Sequence, residues 1–235
     1  MSDSWLKINH SLIKRLFPQT CIFCESSNTQ DISVCNACLG DLPFHKMAHC
    51  PQCALPCESN LICGHCITSP PDFDKTIAIF RYEYPISQLI QHYKYAHQLN
   101  LSGLFSGLLL DKITNLTKPD LIIPMPLHPK RLSERGFNQS LEIAKLISNA
   151  LATPVNYQAC IRNQYAPPQA SLPLKQRARN MQGAFECNQS LDGLRVALID
   201  DVMTTGASMN ALAKAIKAKG ASHVECWVIA RTLLK

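Results

Sequence analysis

Short apolar runs alternate along this chain with longer segments in which apolar residues recur every three or four positions. The apolar runs predict β-strands over residues 76–82, 121–123, 155–161, 195–199 and 223–230. The periodic segments predict α-helices over residues 86–97, 102–115, 133–151 and 207–218, and a short amphipathic helix over residues 5–16. Because strands that are separated by helices usually pair in parallel, the pattern predicts an α/β fold with a parallel sheet flanked by helices.

Cysteine spacing sets the first part of the chain apart from the rest. Nine of the twelve cysteines lie between Cys21 and Cys66. Eight of them form four C-x-x-C pairs, namely Cys21/Cys24, Cys35/Cys38, Cys50/Cys53 and Cys63/Cys66. Two residues between thiols let both sulfurs face one tetrahedral ion, so we predict two structural Zn²⁺ ions with four ligands each. A disulfide framework is the alternative, and the reducing cytosol expected for this chain disfavours it.

The spacing leaves open how the four pairs combine. Sequential pairing closes shorter loops than an interleaved arrangement, so two consecutive zinc ribbons are favoured by a small entropic margin. Cys57 and His65 lie in the same stretch and are alternative ligands that two four-cysteine sites do not need. A Pro-Pro pair at residues 70–71 follows the last cysteine pair. We therefore predict an N-terminal helix and double zinc-ribbon module over residues 1–70 and a larger domain over residues 71–235.

Apolar content and the N-terminal residues exclude some classes of protein. With 46% apolar and 17% charged residues, the chain can form a core and is not wholly disordered. Its most apolar stretch, residues 99–110, is much shorter than the roughly 18 residues that a membrane-spanning helix needs. Residues 1–4 do not begin a secretory signal. We therefore expect a cytoplasmic protein without membrane insertion.

The formal charge of +6 is unevenly distributed. Residues 1–70 carry four Lys or Arg against five Asp or Glu, whereas residues 71–235 carry nineteen against twelve. Residues 128–179 alone carry eight basic and two acidic residues. A basic surface in that region would attract the phosphate groups of a small ligand or of nucleic acid.

Residues 196–208, with the sequence VALIDDVMTTGAS, contain the strongest signal for a ligand. An apolar strand ends in two acids, and a turn then opens a helix. Backbone N–H groups at the start of that helix favour an anion such as phosphate. Thr204, Thr205 and Ser208 add hydroxyl donors, and Gly206 allows the backbone to approach a phosphate closely.

The two acids of this segment, Asp200 and Asp201, point to a sugar as well as a phosphate. A carboxylate in direct contact with a phosphate is unfavourable, but two carboxylates a few ångströms away can accept hydrogen bonds from vicinal sugar hydroxyls. The segment therefore predicts a ribose 5-phosphate site. An ordinary strand followed by a helix that Thr205 or Ser208 caps is the alternative.

These segments resemble known families. Residues 200–208 resemble the PRPP-binding motif of type I phosphoribosyltransferases, where PRPP is phosphoribosyl pyrophosphate. The C-x-x-C pairs, together with PMPLHPKR at 124–131, RGFNQ at 135–139 and RNMQGAF at 179–185, resemble the ComF family of competence proteins. The likeness covers nearly the whole chain. It implies a phosphoribosyltransferase-type parallel sheet flanked by helices, preceded by a small zinc-ribbon module with four cysteine ligands per ion.

The resemblance also implies roles for individual residues. Asp200 and Asp201 would bind the ribose hydroxyls and are the candidate catalytic residues. The 5-phosphate would be bound by the loop residues Thr204, Thr205, Gly206, Ala207 and Ser208. Arg131 and Arg135 follow the family's pyrophosphate loop and would neutralise the diphosphate together with Mg²⁺. Residues 163–174 correspond to a hood-like loop, whose end carries the candidate nucleic-acid-binding residues Lys175, Arg177 and Arg179.

The function that the resemblance implies is a role in natural transformation, since ComF proteins are associated with the uptake of DNA as single strands into the cytoplasm. The expected ligands are PRPP or a related ribose phosphate and single-stranded DNA, with DNA-uptake proteins as further partners. Two alternatives remain open. One is an active phosphoribosyltransferase with an unknown nitrogen acceptor, and the other is a regulator that senses PRPP without turnover. No segment evidently reads a nucleobase edge, so the sequence identifies no acceptor.

Overall fold

The computed structural model describes residues 20–27, 33–95, 98–165 and 183–233. The chain divides into two compact units, Met1–Leu42 and Pro43–Lys235. The last two C-x-x-C pairs therefore lie in the same unit as the strands and helices that follow them. The division of the chain into a zinc-ribbon module and a larger domain at residues 70 and 71 stays a prediction. The amphipathic helix predicted over residues 5–16 lies outside the described residues.

Helices and strands follow one another along the chain much as the apolar pattern predicts. The first unit contains helix α1 (Asn36–Gly40). The second unit contains α2 (Gly64–Thr68), β1 (Lys75–Arg81), α3 (Ile86–Tyr95), α4 (Leu101–Ile113), β2 (Leu121–Pro124), α5 (Pro129–Arg135), α6 (Gln139–Leu151), β3 (Cys160–Arg162), β4 (Phe185–Cys187), β5 (Arg195–Met203), α7 (Ala207–Lys217) and β6 (His223–Arg231). Among the described residues, none of these helices has the length and apolar character needed to cross a membrane.

Four strands of the second unit form a parallel sheet in the order β1-β6-β5-β2. The central strands β5 and β6 read as nearly continuous apolar runs because helices cover both of their faces. Helix α7 packs against alternate strand residues such as Leu198 and Cys226, which belong to one buried cluster. Helices α4 and α6 pack against each other and against the strands. The predicted parallel sheet flanked by helices is confirmed.

One predicted helix is wrong in its length. The helix expected over residues 133–151 is interrupted, and the chain forms α5 and α6 instead. Gly136 adopts a left-handed conformation with φ of 76°, which ends α5. Asn138 then caps α6, because its side-chain oxygen accepts hydrogen bonds from the N–H groups of Ser140 and Leu141. The break therefore places the basic residues Lys130, Arg131 and Arg135 on a separate short helix.

The strand predicted over residues 155–161 is also shorter than expected. Val155 forms a single parallel bridge to Ile122 at the edge of the sheet. Regular pairing resumes only in β3, where Cys160 lies opposite Cys187 of β4 in a separate antiparallel pair. The apolar pattern did not indicate this two-stranded sheet, because each of its strands has only three residues.

The backbone of residues 43–51 runs along the outer side of β1, which is an edge strand of the sheet. The N–H of His45 donates to the carbonyl of Ile79 at 2.8 Å, and the N–H of Thr76 donates to the carbonyl of Pro51 at 3.0 Å. Backbone groups of β1 that face away from β6 are thus hydrogen-bonded within the same compact unit.

Candidate functional site

The cysteines of the four C-x-x-C pairs gather into two groups of four. Within each group, the sulfur atoms all lie within 4.8 Å of one another. The groups are Cys21, Cys24, Cys35 and Cys38 in the first unit, and Cys50, Cys53, Cys63 and Cys66 in the second. A tetrahedral zinc ion with Zn–S bonds of about 2.3 Å requires sulfurs about 3.8 Å apart. The measured separations, Cys24 to Cys35 and Cys53 to Cys63, are both 3.7 Å. Both groups fit zinc, and their sequential pairing is confirmed over the interleaved alternative.

Four thiols held this closely cannot all ionise easily without a cation. Burial acts to raise the pKa of Cys50, but backbone N–H groups, first that of Cys63 at 3.3 Å, lower it to about 7. Burial and the neighbouring Cys53 thiol instead raise the pKa of Cys66. A divalent ion removes this conflict, because a coordinated thiol is deprotonated outright. The donor set is therefore one that zinc would stabilise.

We expect the purified protein to contain two zinc ions per chain, because the two cysteine groups supply four ligands each. The Cys38→Ser and Cys66→Ser variants should each retain about one ion, since each loses a ligand of one group. Cys57 and His65 belong to neither group, so the Cys57→Ser variant is the matched control and should retain both ions. Elemental analysis of protein purified without chelator checks this. A single ion in the unaltered chain would contradict two independent centres.

A pocket of about 260 Å³ opens at the carboxyl ends of the parallel strands, where open parallel sheets usually bind ligands. The residues that the sequence predicted to bind ribose and phosphate all line this pocket. Its charged and hydroxyl-bearing lining residues are Lys94, Arg131, Arg135, Ser140, Arg162, Asp200, Asp201, Thr204, Thr205 and Ser208. Gly206 and Ala207 complete the loop.

The two acids lie inside β5 rather than after it, because the strand continues to Met203 in register with β6. Asp200 Oδ1 accepts hydrogen bonds from the Ser140 hydroxyl at 3.1 Å and from the Asp201 N–H at 2.9 Å. Asp201 Oδ1 lies 2.7 Å from Lys94 Nζ in a nearly buried ion pair. Pairing within the sheet therefore fixes the positions of both carboxylates.

Burial and the closeness of the charged groups shift the pKa values of Asp200 and Lys94. Burial, and then the adjacent charge of Asp201, raise the pKa of Asp200 to about 7, against the opposing effect of Lys94. Burial alone would lower the pKa of Lys94, but the Asp201 carboxylate raises it above its usual value. Lys94 therefore keeps its positive charge in the ion pair with Asp201.

The loop after β5 lines the pocket and leads into α7. Gly206 is the N-cap residue of α7 and adopts a left-handed conformation with φ of 84°. It offers no side-chain cap, so the first N–H groups of α7 are not satisfied from that position. Thr205 Oγ1 accepts a bond of 3.3 Å from the Ala207 N–H, which orders the turn. Thr205 thus supplies one hydrogen bond of the helix cap that the alternative interpretation expected, although the N-cap residue itself has no side chain.

Basic side chains reach the pocket from three separate elements. Arg131 and Arg135, which the resemblance indicated, lie on α5. Lys94 on α3 and Arg162 on β3 were missed by sequence reasoning. No local signal marks either of them, since each is an isolated basic residue that only the tertiary fold brings to the pocket. The candidate nucleic-acid-binding residues Lys175, Arg177 and Arg179 lie outside the described residues.

Comparisons with known proteins identify the zinc-ribbon segment and the family of the chain. Residues 12–67 match the double zinc ribbon domain family. The chain is 30% identical over 220 residues to competence protein F of Haemophilus influenzae, covering 84% of this chain and 96% of that protein. It is 32% identical over 207 residues to the DNA utilization protein YhgH of Shigella flexneri, covering 85% of this chain and 91% of that protein. The chain belongs to the ComF family.

The ComF assignment confirms the resemblance drawn from the cysteine pairs and the RGFNQ segment. Among solved structures, the ComF chain is similar to a purine phosphoribosyltransferase from Pyrococcus horikoshii. That likeness has a TM-score of 0.35 and 20% identity, and it covers 55% of this chain and 80% of the other. The fold assignment for this ComF chain therefore depends on its own sheet order and cysteine groups.

Proposed function

We propose that this ComF chain binds PRPP, or a related ribose 5-phosphate, in the pocket at the carboxyl edge of its sheet. The observation that carries the proposal is one juxtaposition: two adjacent carboxylates on β5 are followed by a glycine loop that opens α7, and both line one pocket. A phosphate suits the helix start, and carboxylates suit sugar hydroxyls. Four basic side chains in the same pocket suit a second anionic group.

The 5-phosphate, the ribose and the diphosphate of PRPP can each be assigned to a different part of the pocket lining. The 5-phosphate would accept hydrogen bonds from the Thr204–Ser208 loop, while Asp201 would accept them from the ribose hydroxyls. Arg131 and Arg135 would face the diphosphate. Since Asp201 is already bonded to Lys94, the ribose would either share this carboxylate with the ammonium group or displace it.

Mg²⁺ would bind together with the diphosphate rather than at a site made only of protein ligands. Within the residues that the structure describes, the cysteine groups are the only clusters of three or more potential metal ligands. Mg²⁺ commonly binds through one or two carboxylates together with substrate phosphates. The carboxylates of the pocket are compatible with that mode, and the cation would add to the charge neutralisation that the arginines supply.

The cellular role that we propose is the handling of incoming DNA. Support comes from the names of the relatives, a competence protein and a DNA utilization protein. Either turnover of PRPP or sensing of PRPP is compatible with the pocket. Incubation with PRPP and Mg²⁺ distinguishes them, because only a phosphoribosyltransferase releases pyrophosphate in proportion to an added nitrogen acceptor.

Calorimetry with PRPP and Mg²⁺ tests the site through the Asp201→Ala variant. Loss of a hydrogen bond to a charged group costs about 1.5–3 kcal/mol, so we expect PRPP to bind roughly ten- to a hundredfold more weakly. Inorganic phosphate should bind at least as well as before, because the change frees the Lys94 ammonium and leaves the loop N–H groups in place.

The matched control is Asp111→Ala, which removes an exposed carboxylate of α4 that does not line the pocket. It should leave both affinities unchanged. Equal PRPP affinity in the Asp201→Ala and unaltered proteins would exclude Asp201 as a ribose acceptor.

A second candidate function, binding of single-stranded DNA, is favoured by aromatic rings beside the pocket. Tyr95 and Tyr165 are exposed, and each has a cation over its ring: Arg135 at 5.2 Å and Lys130 at 4.6 Å. The ring of His128 lies 5.3 Å from that of Tyr165. Aromatic faces next to basic groups are typical of surfaces that stack bases and neutralise a nucleic-acid backbone.

The Tyr165→Ala change should weaken binding of single-stranded DNA about five- to a hundredfold, because stacking of one base contributes about 1–3 kcal/mol. Lys130→Ala should also reduce the slope of log affinity against log salt by roughly 0.7, which corresponds to one phosphate contact. Tyr157→Ala is the control, because it removes an exposed tyrosine over whose ring no cation lies within the described residues. Fluorescence anisotropy at several salt concentrations gives both values. Identical behaviour of the Tyr157 and Tyr165 variants would place the DNA surface elsewhere.

A further inference from the structure

A buried arginine connects the second cysteine group with the phosphate loop. Arg231, the last residue of β6, is 1% exposed. Its Nε–H donates to the carbonyl of Cys53 at 2.8 Å. Its Nη1 donates to the carbonyl of Met203 at 3.0 Å and also to the carbonyl of Thr204. One planar guanidinium therefore bonds to a cysteine of the metal group and to the start of the loop.

A buried guanidinium such as that of Arg231 needs a negatively charged partner nearby. Within the described residues, its hydrogen bonds all end on backbone carbonyls, including that of Thr232 at 3.0 Å. No ion pair joins it to a carboxylate within the described part of the chain. Burial lowers the pKa of Arg231, and the negative charge that Cys53 and Cys66 carry when ionised opposes that shift. A zinc ion with four thiolates carries a net charge of about −2 and would be the counterion that a buried guanidinium needs.

Arg231 also has a geometric role, because it bonds to the carbonyl of Cys53 and to carbonyls at the start of the loop. The guanidinium presents several N–H groups in a fixed plane, so the direction of its bond to Cys53 sets the direction of its bonds to Met203 and Thr204. Main-chain bonds continue the link, since the N–H of Thr232 donates to the carbonyl of Met203 at 3.0 Å. Displacement of the Cys53 backbone would therefore displace the residues that begin the loop.

We propose that Arg231 is a positioning residue through which zinc at the Cys50, Cys53, Cys63 and Cys66 group holds the Thr204–Ser208 loop in its ligand-binding shape. The importance of that shape rests on the proposed function, but the link itself is a property of the ligand-free protein. Zinc loss at this group releases Cys53, leaves the buried guanidinium without its counterion, and loosens the loop. The chain thereby couples its metal state to its affinity for a ribose phosphate.

Hydrogen–deuterium exchange of the full-length protein, without any ligand, tests the link independently of PRPP binding. In Cys63→Ser, which breaks the second metal group, amides of the Thr204–Ser208 loop should exchange about tenfold faster or more. Arg231→Lys should accelerate the same amides while retaining two zinc ions, because lysine keeps the charge but cannot form the planar set of bonds. Cys38→Ser, which breaks the first group, is the control and should leave the loop unchanged.

Exchange in α6 distinguishes positioning from general destabilisation, since a merely structural role would accelerate α6 and the loop together. Should Arg231→Lys fail to fold, mild chelation of the unaltered protein supplies the same readout. Faster exchange near Cys53 with an unchanged loop would overturn the proposal. Calorimetry on the same proteins then separates the two ideas: a loop that responds to zinc in a chain that binds no PRPP would support the link and contradict the proposed ligand.

Discussion

Replacement of Gly206 with valine is expected to weaken PRPP binding by about a hundredfold or more. Gly206 has φ of 84°, a conformation that a β-branched side chain adopts only under strain. The cause is backbone conformation and not lack of space, because an added Cβ would meet Met203 and Phe73 at 3.9 Å, an ordinary contact distance. Valine would therefore move the loop, and the phosphate would lose more than one charged hydrogen bond of about 1.5–3 kcal/mol each.

Asparagine at the same position is the matched control, because asparagine tolerates the left-handed conformation better than most residues. We expect Gly206→Asn to retain most of the affinity that Gly206→Val loses. Calorimetry gives the two affinities, and circular dichroism checks that both variants are folded. Full PRPP affinity in the valine variant would falsify the assignment of this loop to the phosphate.

The second large effect concerns stability. The Asp200→Asn variant should be more stable than the unaltered protein by about 2–4 kcal/mol near pH 8, since each pKa unit corresponds to about 1.4 kcal/mol. The pKa of Asp200 is raised from 3.8 to about 7, mainly by burial, so between these values the folded protein binds more protons than the unfolded chain. Stability of the unaltered protein therefore falls as pH rises through this window. Asparagine removes that cost and can still accept the bonds from Ser140 and Asp201, both of which end on Oδ1.

The pH dependence distinguishes this explanation from ordinary repacking. The advantage of Asp200→Asn should shrink by roughly 1 kcal/mol per unit as the pH is lowered below about 7. Urea unfolding between about pH 6 and pH 8 measures it, at values where the zinc ligands stay bound. Asp111→Asn, on the exposed face of α4, should show no such trend. A constant difference across the range would exclude Asp200 as the titrating group. If Asp200→Asn gains stability but loses ribose binding, Asp200 is retained for function at a cost in stability.

The sequence was sufficient for the features that depend on local spacing. C-x-x-C pairs place two sulfurs on one tight turn, so both metal groups follow from eight positions that need no knowledge of the fold. The apolar runs at β5 and β6 were equally clear, because strands that are buried on both faces show little alternation. The two acids and the glycine loop were recognisable since they are consecutive in the chain.

Features that depend on distant contacts could not be predicted. Lys94 reaches Asp201 across more than a hundred residues, and an isolated lysine between two tyrosines resembles an ordinary helix residue. The extension of β5 through Asp200 is set by pairing with Val228, which local polarity opposes. The break at Gly136 was missed because the apolar periodicity continues on both sides of it. In each case, tertiary contacts outweigh the local pattern.

The backbone that runs beside β1 has a consequence for solubility. An uncovered edge strand offers its unpaired N–H and C=O groups to a second chain and promotes aggregation. Here the edge is covered by the segment that begins the second cysteine group, through the bonds of His45 and Pro51 to β1. That segment has little apolar core of its own, so a zinc ion at its cysteine group would stabilise it. Loss of zinc from this group would therefore expose the outer edge of β1 and favour pairing of that edge with a second chain.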